Sequence, residues 1–334
     1  MLRTKQHNTS GSHLISTTVT LFCVLAASLL IINRQYVVDQ LSVWQYHPSS
    51  AIATLAANSG MNSEGMFYFY ASQPALDDAQ DFNKECTSKE SGTAILGCYD
   101  GRNIYIYDVT DSRLAGIREV TAAHEMLHAV YARMSDSEKK TVDALLEAEY
   151  AKIKDNKDFA ERMAFYARTE PGERDNELHS VIGTEVADLS PALEAHYRQY
   201  FSDRSKVVAY SIAYTATFTN LQTQSDQLSS QLTQLGNTIE SDSLSYNNDV
   251  NQLNADIQTF NTNANDGNFT SQSDFQNERD ALMARATQLD TRRTTINNEV
   301  TQYETLRSQL AAVASQSNAL NKSINSSLAP APSL

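Results

Sequence analysis

The chain has 334 residues, with 40 acidic against 26 basic side chains and a formal net charge of −14. That length allows two or three domains. The acidity argues against a nucleic-acid partner, whose phosphates require clustered Lys and Arg, and favours solubility without bearing on fold.

One segment breaks the soluble pattern. Residues 14–32 (LISTTVTLFCVLAASLLII) carry no charge, and as a helix these 19 residues would span about 28 Å, near the hydrocarbon thickness of a bilayer. Arg3 and Lys5 precede the run and Arg34 follows it. The positive-inside rule then leaves residues 1–13 in the cytoplasm and the bulk of the chain outside, in a periplasm or at the cell exterior. Tyr36, Trp44 and Tyr46 are suited to the headgroup level. A cleaved signal peptide is the competing reading. Its apolar core would be shorter, ~7–15 residues, although Ala26, Ala27 and Ser28 are small enough for a cleavage site.

Residues 33–60 are mixed in composition, contain HPSSA and read as a linker. Residues 61–210 follow as a strand-poor α+β domain, large enough for its own core. Residues 66–70 (MFYFY) and 103–107 (NIYIY) are aromatic, β-branched runs and predict strands. Cys86 and Cys98 flank a turn-like KESG; outside the cytoplasm such a pair predicts a disulfide, while Cys23 lies within the apolar run. From Gly116 the spacing turns helical through Ile117, Val120, Leu127 and Tyr131. Ser135 and Glu138 form the signature of a capping box opening the next helix. A third helix is predicted from Glu173 to Leu189, and Ser190-Pro191 opens a fourth.

Beyond residue 215 the composition shifts to Gln, Asn, Ser and Thr. Apolar residues recur there in steps of seven, four or three: Leu221, Leu228, Leu232, Leu235, Ile239, Tyr246, Val250, Leu253, Ile257 and Phe260. After a loop at 261–272 containing Asp-Gly, the rhythm resumes from Phe275 through Leu282, Leu289, Ile296, Val300, Tyr303, Leu306, Leu310, Val313 and Leu320. Residues 211–326 therefore predict a long antiparallel coiled-coil hairpin, a surface open to a protein partner. The Pro-rich residues 327–334 predict a disordered tail.

The chemistry concentrates in residues 121–130 (TAAHEMLHAV). On a helix, His124 and His128 project from one face, so both imidazoles can reach one metal ion. Zinc suits imidazole, and a catalytic zinc keeps three protein ligands and a water whose pKa it lowers. Glu125 follows the first histidine and can accept that water's proton. The plainer reading is two polar positions on an amphipathic helix, but the uncharged neighbours Ala122, Ala123, Met126, Leu127 and Ala129 predict burial, which is costly for His and Glu left unpaired.

This stretch resembles the active-site helix of the zincin metallopeptidases. The metzincin continuation is absent, since Tyr131 and Met134 stand where that group has glycine and histidine. Residues 176–181 (NELHSV) resemble instead the downstream Asn-Glu-x-x-Ser-Asp of gluzincins, with Val181 in place of Asp. The resemblance implies Glu177 as third ligand, with Glu185 and His179 as rivals, and a strand upstream of the helix that binds extended substrate, here residues 103–107 or else simply core sheet. Glu185 or Asp188 would replace the missing carboxylate behind a ligand histidine. Tyr166, Arg168, His196 and Tyr197 are the donors available to an oxyanion. Together these readings imply a mostly helical α+β zincin-like domain between a transmembrane anchor and a coiled coil. The expected activity is zinc-dependent hydrolysis of peptide or protein substrates. The alternative is a non-catalytic envelope adaptor acting through its coil.

Overall fold

The computed structural model describes residues 10–86, 95–169 and 171–326. The KESG turn, the first nine residues and the tail at 327–334 lie outside the described residues. The chain divides into two compact units, one of Met1–Thr215 with Ser323–Leu334 and one of Ala216–Lys322. Both are dominated by helix.

The first unit opens with α1 (Ser10–Ile32), α2 (Arg34–Gln45), α3 (Ser50–Asn58) and α4 (Ser63–Ala71). Among the described residues no single helix is long and apolar enough to cross a membrane. Thr18–Ile32 and Arg34–Gln45 pass that test together, with a bend of 76° between them. Residues 33–60 are not a linker. Ile52, Leu55 and Ala56 of α3 belong to the core, and Asp39 of α2 is buried against a partner inside the domain.

Residues 66–70 are helical rather than a strand, because they lie in α4. Asn62 Oδ1 accepts from the amides of Glu64 and Gly65 and starts that helix. The aromatics then leave on different faces: Phe69 is fully buried, Tyr68 meets Tyr200 edge-on and Phe67 meets Tyr36. Capping and packing on several sides outweigh the β preference of the pentapeptide. Gly65 is needed here, since a Cβ would lie 2.3 Å from the Tyr200 carbonyl oxygen.

A small sheet follows, built from β1 (Ala75–Asp77), β2 (Gly97–Tyr99) and β3 (Ile104–Tyr107), with α5 (Ala79–Glu85) between the first two. The order is β1-β3-β2, with β1 parallel and β2 antiparallel to β3. Strand β3 forms as its sequence predicts, but in the centre. Both its edges are paired and Ile104 and Ile106 are fully buried, so it is core sheet and no substrate edge. Among the described residues β2 is an edge strand, and it is joined to the end of α5 by the expected Cys86–Cys98 disulfide.

Helix α6 (Ile117–Arg133) runs through the middle of the unit, packed by α3, α4, β2, β3 and α9 (Arg174–Glu185). Ala122, Ala123, Met126, Leu127 and Ala129 are fully buried, so it is apolar nearly all round, as befits a central helix. It leaves Gly116 at φ 96°, a left-handed conformation suited to glycine. Helix α7 (Asp136–Ile153) begins with the predicted Ser135/Glu138 capping box. Helix α8 (Lys157–Thr169), which the sequence reading leaves unassigned, buries Phe159 and Met163 one turn apart. Helix α9 ends at Glu185, short of Leu189, and α10 (Pro191–Tyr197) starts from the Ser190 cap.

The second unit comprises most of α11 (Ser205–Asn265) and α12 (Gln272–Ile324), joined at 266–271. The two helices run antiparallel: Asp256 pairs with Arg285 and Asp249 with Arg292, so seven residues back on one match seven forward on the other. Nearly all the seam positions are half-buried or buried while most other positions are exposed, because each helix covers one face of its partner only. Val300, expected in the seam, is 42% exposed. Phe260, Phe269 and Phe275 cluster at the closed end, with centroids 5.1 to 5.2 Å apart.

Candidate metal centre

Two helices make the site. Helix α6 carries His124, Glu125 and His128; α9 lies against it and carries Asn176, Glu177 and Ser180. Their close approach depends on Gly183 of α9, where a Cβ would stand 2.5 Å from Leu127 Cδ1 and 2.7 Å from the Tyr197 ring. Both helices are rich in small or apolar residues on the shared face, and Leu178, Val181 and Ile182 are fully buried.

Three donor groups converge. His124 Nε2 and His128 Nε2 are 3.0 Å apart, and the Glu177 carboxylate stands 3.7 Å from the first and 3.5 Å from the second. The two nitrogen–oxygen separations are long for hydrogen bonds. All three, however, bracket the edge of a tetrahedron with bonds of 2.0–2.1 Å, about 3.3 Å. The three residues form a group able to hold a metal ion, and two imidazoles with one carboxylate are a donor set that suits zinc.

The electrostatics agree. Burial pushes His124 down to about 3, and the nearby Arg162 guanidinium adds to the effect. Burial also lowers His128, against the opposing pull of Glu177. Both rings are therefore neutral at physiological pH, the form that ligates metal. The tautomer of His128 is fixed from behind. Its Nδ1 donates to Asn176 Oδ1 at 2.9 Å, and Asn176 Nδ2 donates to Glu173 at 3.1 Å, which sets the amide's orientation. Ser180 Oγ lies 3.2 Å from the same Nδ1. The Nε2 lone pair of His128 thus faces the site.

This arrangement corrects the expectation that Glu185 or Asp188 backs a histidine. Glu185 pairs with Arg162 of α8, and Asp188 is exposed. The backing group is Asn176, with Glu173 behind it. Nor do the rival third ligands enter the donor group. His179, fully buried, turns its Nε2 to His196 Nε2 at 2.9 Å, and Glu185 is held by Arg162.

Glu125 is buried, 5% exposed, against β2. A Cβ on Gly97 would come 2.7 Å from Glu125 Oε1 and 2.5 Å from the Thr121 methyl, so only glycine lets the edge strand approach so closely. Gly97 and Glu173 are site residues that the motifs did not reveal. A glycine opening a short strand beside a cysteine was the only visible signal for the first. Of the four donors named for an oxyanion, Tyr166 stands by His124, its ring stacked on the imidazole with centroids 6.4 Å apart. Tyr197 is fully buried and donates to the His179 carbonyl, and His196 is engaged by His179. Arg168 donates to the Ala164 carbonyl one turn back.

In comparisons with known proteins, no family model, no curated protein and no solved structure matches the chain.

Proposed function

We propose that the protein is a membrane-anchored, extracytoplasmic, zinc-dependent peptidase of the zincin type, with His124, His128 and Glu177 as ligands and Glu125 as general base. The observation that carries this reading is the convergence of two neutral imidazoles and one buried carboxylate at the spacings of a tetrahedral ion. A zinc ion held there supplies a water acidic enough to ionise near neutral pH and polarises the carbonyl under attack. The chain does the rest. His128 is oriented by Asn176, and Glu125 is confined between α6 and β2. Glu125 accepts the proton of the attacking water and returns it to the departing nitrogen. As an edge strand among the described residues, β2 offers its outer side to an extended peptide. This moves the substrate-binding edge from residues 103–107 to residues 97–99.

The Cys86–Cys98 disulfide supports an oxidising compartment, and the uncharged run within α1 supports a single-pass anchor. The antiparallel helices of the second unit serve as a coiled-coil spacer or docking arm for a protein partner. The adaptor alternative does not account for Glu125, which a scaffold has no reason to bury beside the ligands. Glu125→Gln separates the two. The expected outcome is retention of one zinc per chain with loss of ~10²–10⁴-fold in peptide cleavage. Unchanged cleavage in the variant, or a wild-type chain without hydrolytic activity on unstructured polypeptide, refutes the peptidase reading.

A further inference from the structure

We propose that α2 lies in the membrane interface, its outer face against lipid headgroups and the upper acyl chains, and that it fixes the metal centre at short reach from the bilayer. The proposal rests on the reading of α1 as a membrane anchor.

Helix α2 is inverted relative to an ordinary surface helix. Its one acid, Asp39, faces the protein interior and is 3% exposed. Arg133 clamps it with two hydrogen bonds of 2.9 Å, from Nε to Oδ2 and from Nη2 to Oδ1. Part of its apolar surface faces out: Val38 and Leu41 are 47% exposed and Trp44 is 78% exposed, while Val37 and Val43 are half-buried. At 3.6 residues per turn the three exposed residues fall within an arc of about 120° roughly opposite Asp39. An apolar stripe ending in Trp is the composition of a helix that lies along a membrane surface.

Three further observations choose lipid over a protein partner. The stripe continues the surface of α1, where Leu21, Phe22, Leu29, Leu30 and Ile32 are all more than half exposed, and only Asn33 intervenes between the helices. The 76° bend at that point leaves α2 almost in the membrane plane when α1 follows the bilayer normal. Charge is also permissive: of the chain's 40 acidic residues, Asp39 alone falls within residues 1–63, and Arg133 neutralises it. Helix α2 itself therefore presents no exposed carboxylate to repel anionic headgroups.

The clamp gives the surface a functional consequence. Arg133 is the last residue of α6, and His124 lies nine residues earlier on the same helix, about 14 Å away along its axis. The catalytic unit is thus seated on the bilayer rather than swinging from a tether. The substrates it reaches are polypeptide segments that emerge from, or lie on, the membrane.

Trp44 is the chain's sole tryptophan and reports directly on this. The full chain is reconstituted into phosphatidylcholine–phosphatidylglycerol vesicles and its emission recorded with quenchers of known depth. The expected result is blue-shifted emission, strong quenching by lipids brominated near the headgroup end, weaker quenching by lipids brominated near the chain end, and little quenching by aqueous iodide. Alkaline carbonate extraction of the same vesicles separates the two layers of the claim. A chain that stays with the vesicles but whose Trp44 is quenched by iodide as fully as in urea leaves the anchor standing and overturns the interfacial seat. A chain that carbonate releases overturns both.

Discussion

At the scale of single residues, the group able to hold a metal ion is ordered by hydrogen bonds behind it. Asn176 accepts from His128 Nδ1 and gives its own amide hydrogen to Glu173, so the ring is held with its other nitrogen towards Glu177. Asn176→Ala frees the ring. Zinc affinity, measured by competition with a chromophoric chelator, should fall by ~10–100-fold while the fold persists. Gly97→Ala tests the other side. Its methyl would displace the carboxylate of Glu125 but no ligand, so turnover should fall while zinc content is unchanged. The pair His124 and His128 was legible in the sequence because a spacing of four is a local property of a helix. Glu177 became legible only through resemblance, since its approach to His128 bridges some fifty residues and depends on Gly183 letting two helices touch. Glu173 was not legible at all: its role passes through the orientation of another side chain.

At the scale of elements, the outcome turned on partners rather than local preference. Residues 104–107 are a strand because strands exist on both sides to pair with them. The equally aromatic residues 66–70 have no such neighbours, and a capped helix lets their rings pack in several directions. Residues 33–60 read as a linker because their contribution, Asp39 reaching Arg133 from a distant helix, leaves no periodic trace. That ion pair is buried, at 4% and 8% side-chain exposure. Asp39→Ala strands the guanidinium and should cost ~3–5 kcal/mol in urea unfolding, whereas replacing both partners with apolar residues of similar volume should cost much less. The Cys86–Cys98 link joins α5 to the edge strand that borders Glu125. Replacing both cysteines with serine should lower stability by ~2–4 kcal/mol.

At the scale of the whole molecule, the chain joins an uncharged run in α1, a mostly helical unit that carries a group able to hold a metal ion, and a long antiparallel helix pair. The unit's sensitivity to acid follows in part from its second histidine pair. Burial lowers His196 to about 4 and His179 well below its ordinary value. Both are neutral when folded, whereas the unfolded chain protonates them near 6.5. The unfolded state therefore binds more protons below that pH, so stability is full above about 6.5 and declines as the pH falls towards 4. His196→Gln should flatten that decline in denaturant midpoints recorded from pH 7.5 to 4.5. The most direct trial of the account is zinc stoichiometry in the purified full chain and its ligand variants. It predicts one tightly held ion in the wild type, retained by His179→Ala and Glu185→Ala and lost with His124→Ala, His128→Ala and Glu177→Ala. A wild-type chain that takes up no zinc, or a Glu177 variant that holds it as firmly as the parent, would contradict it.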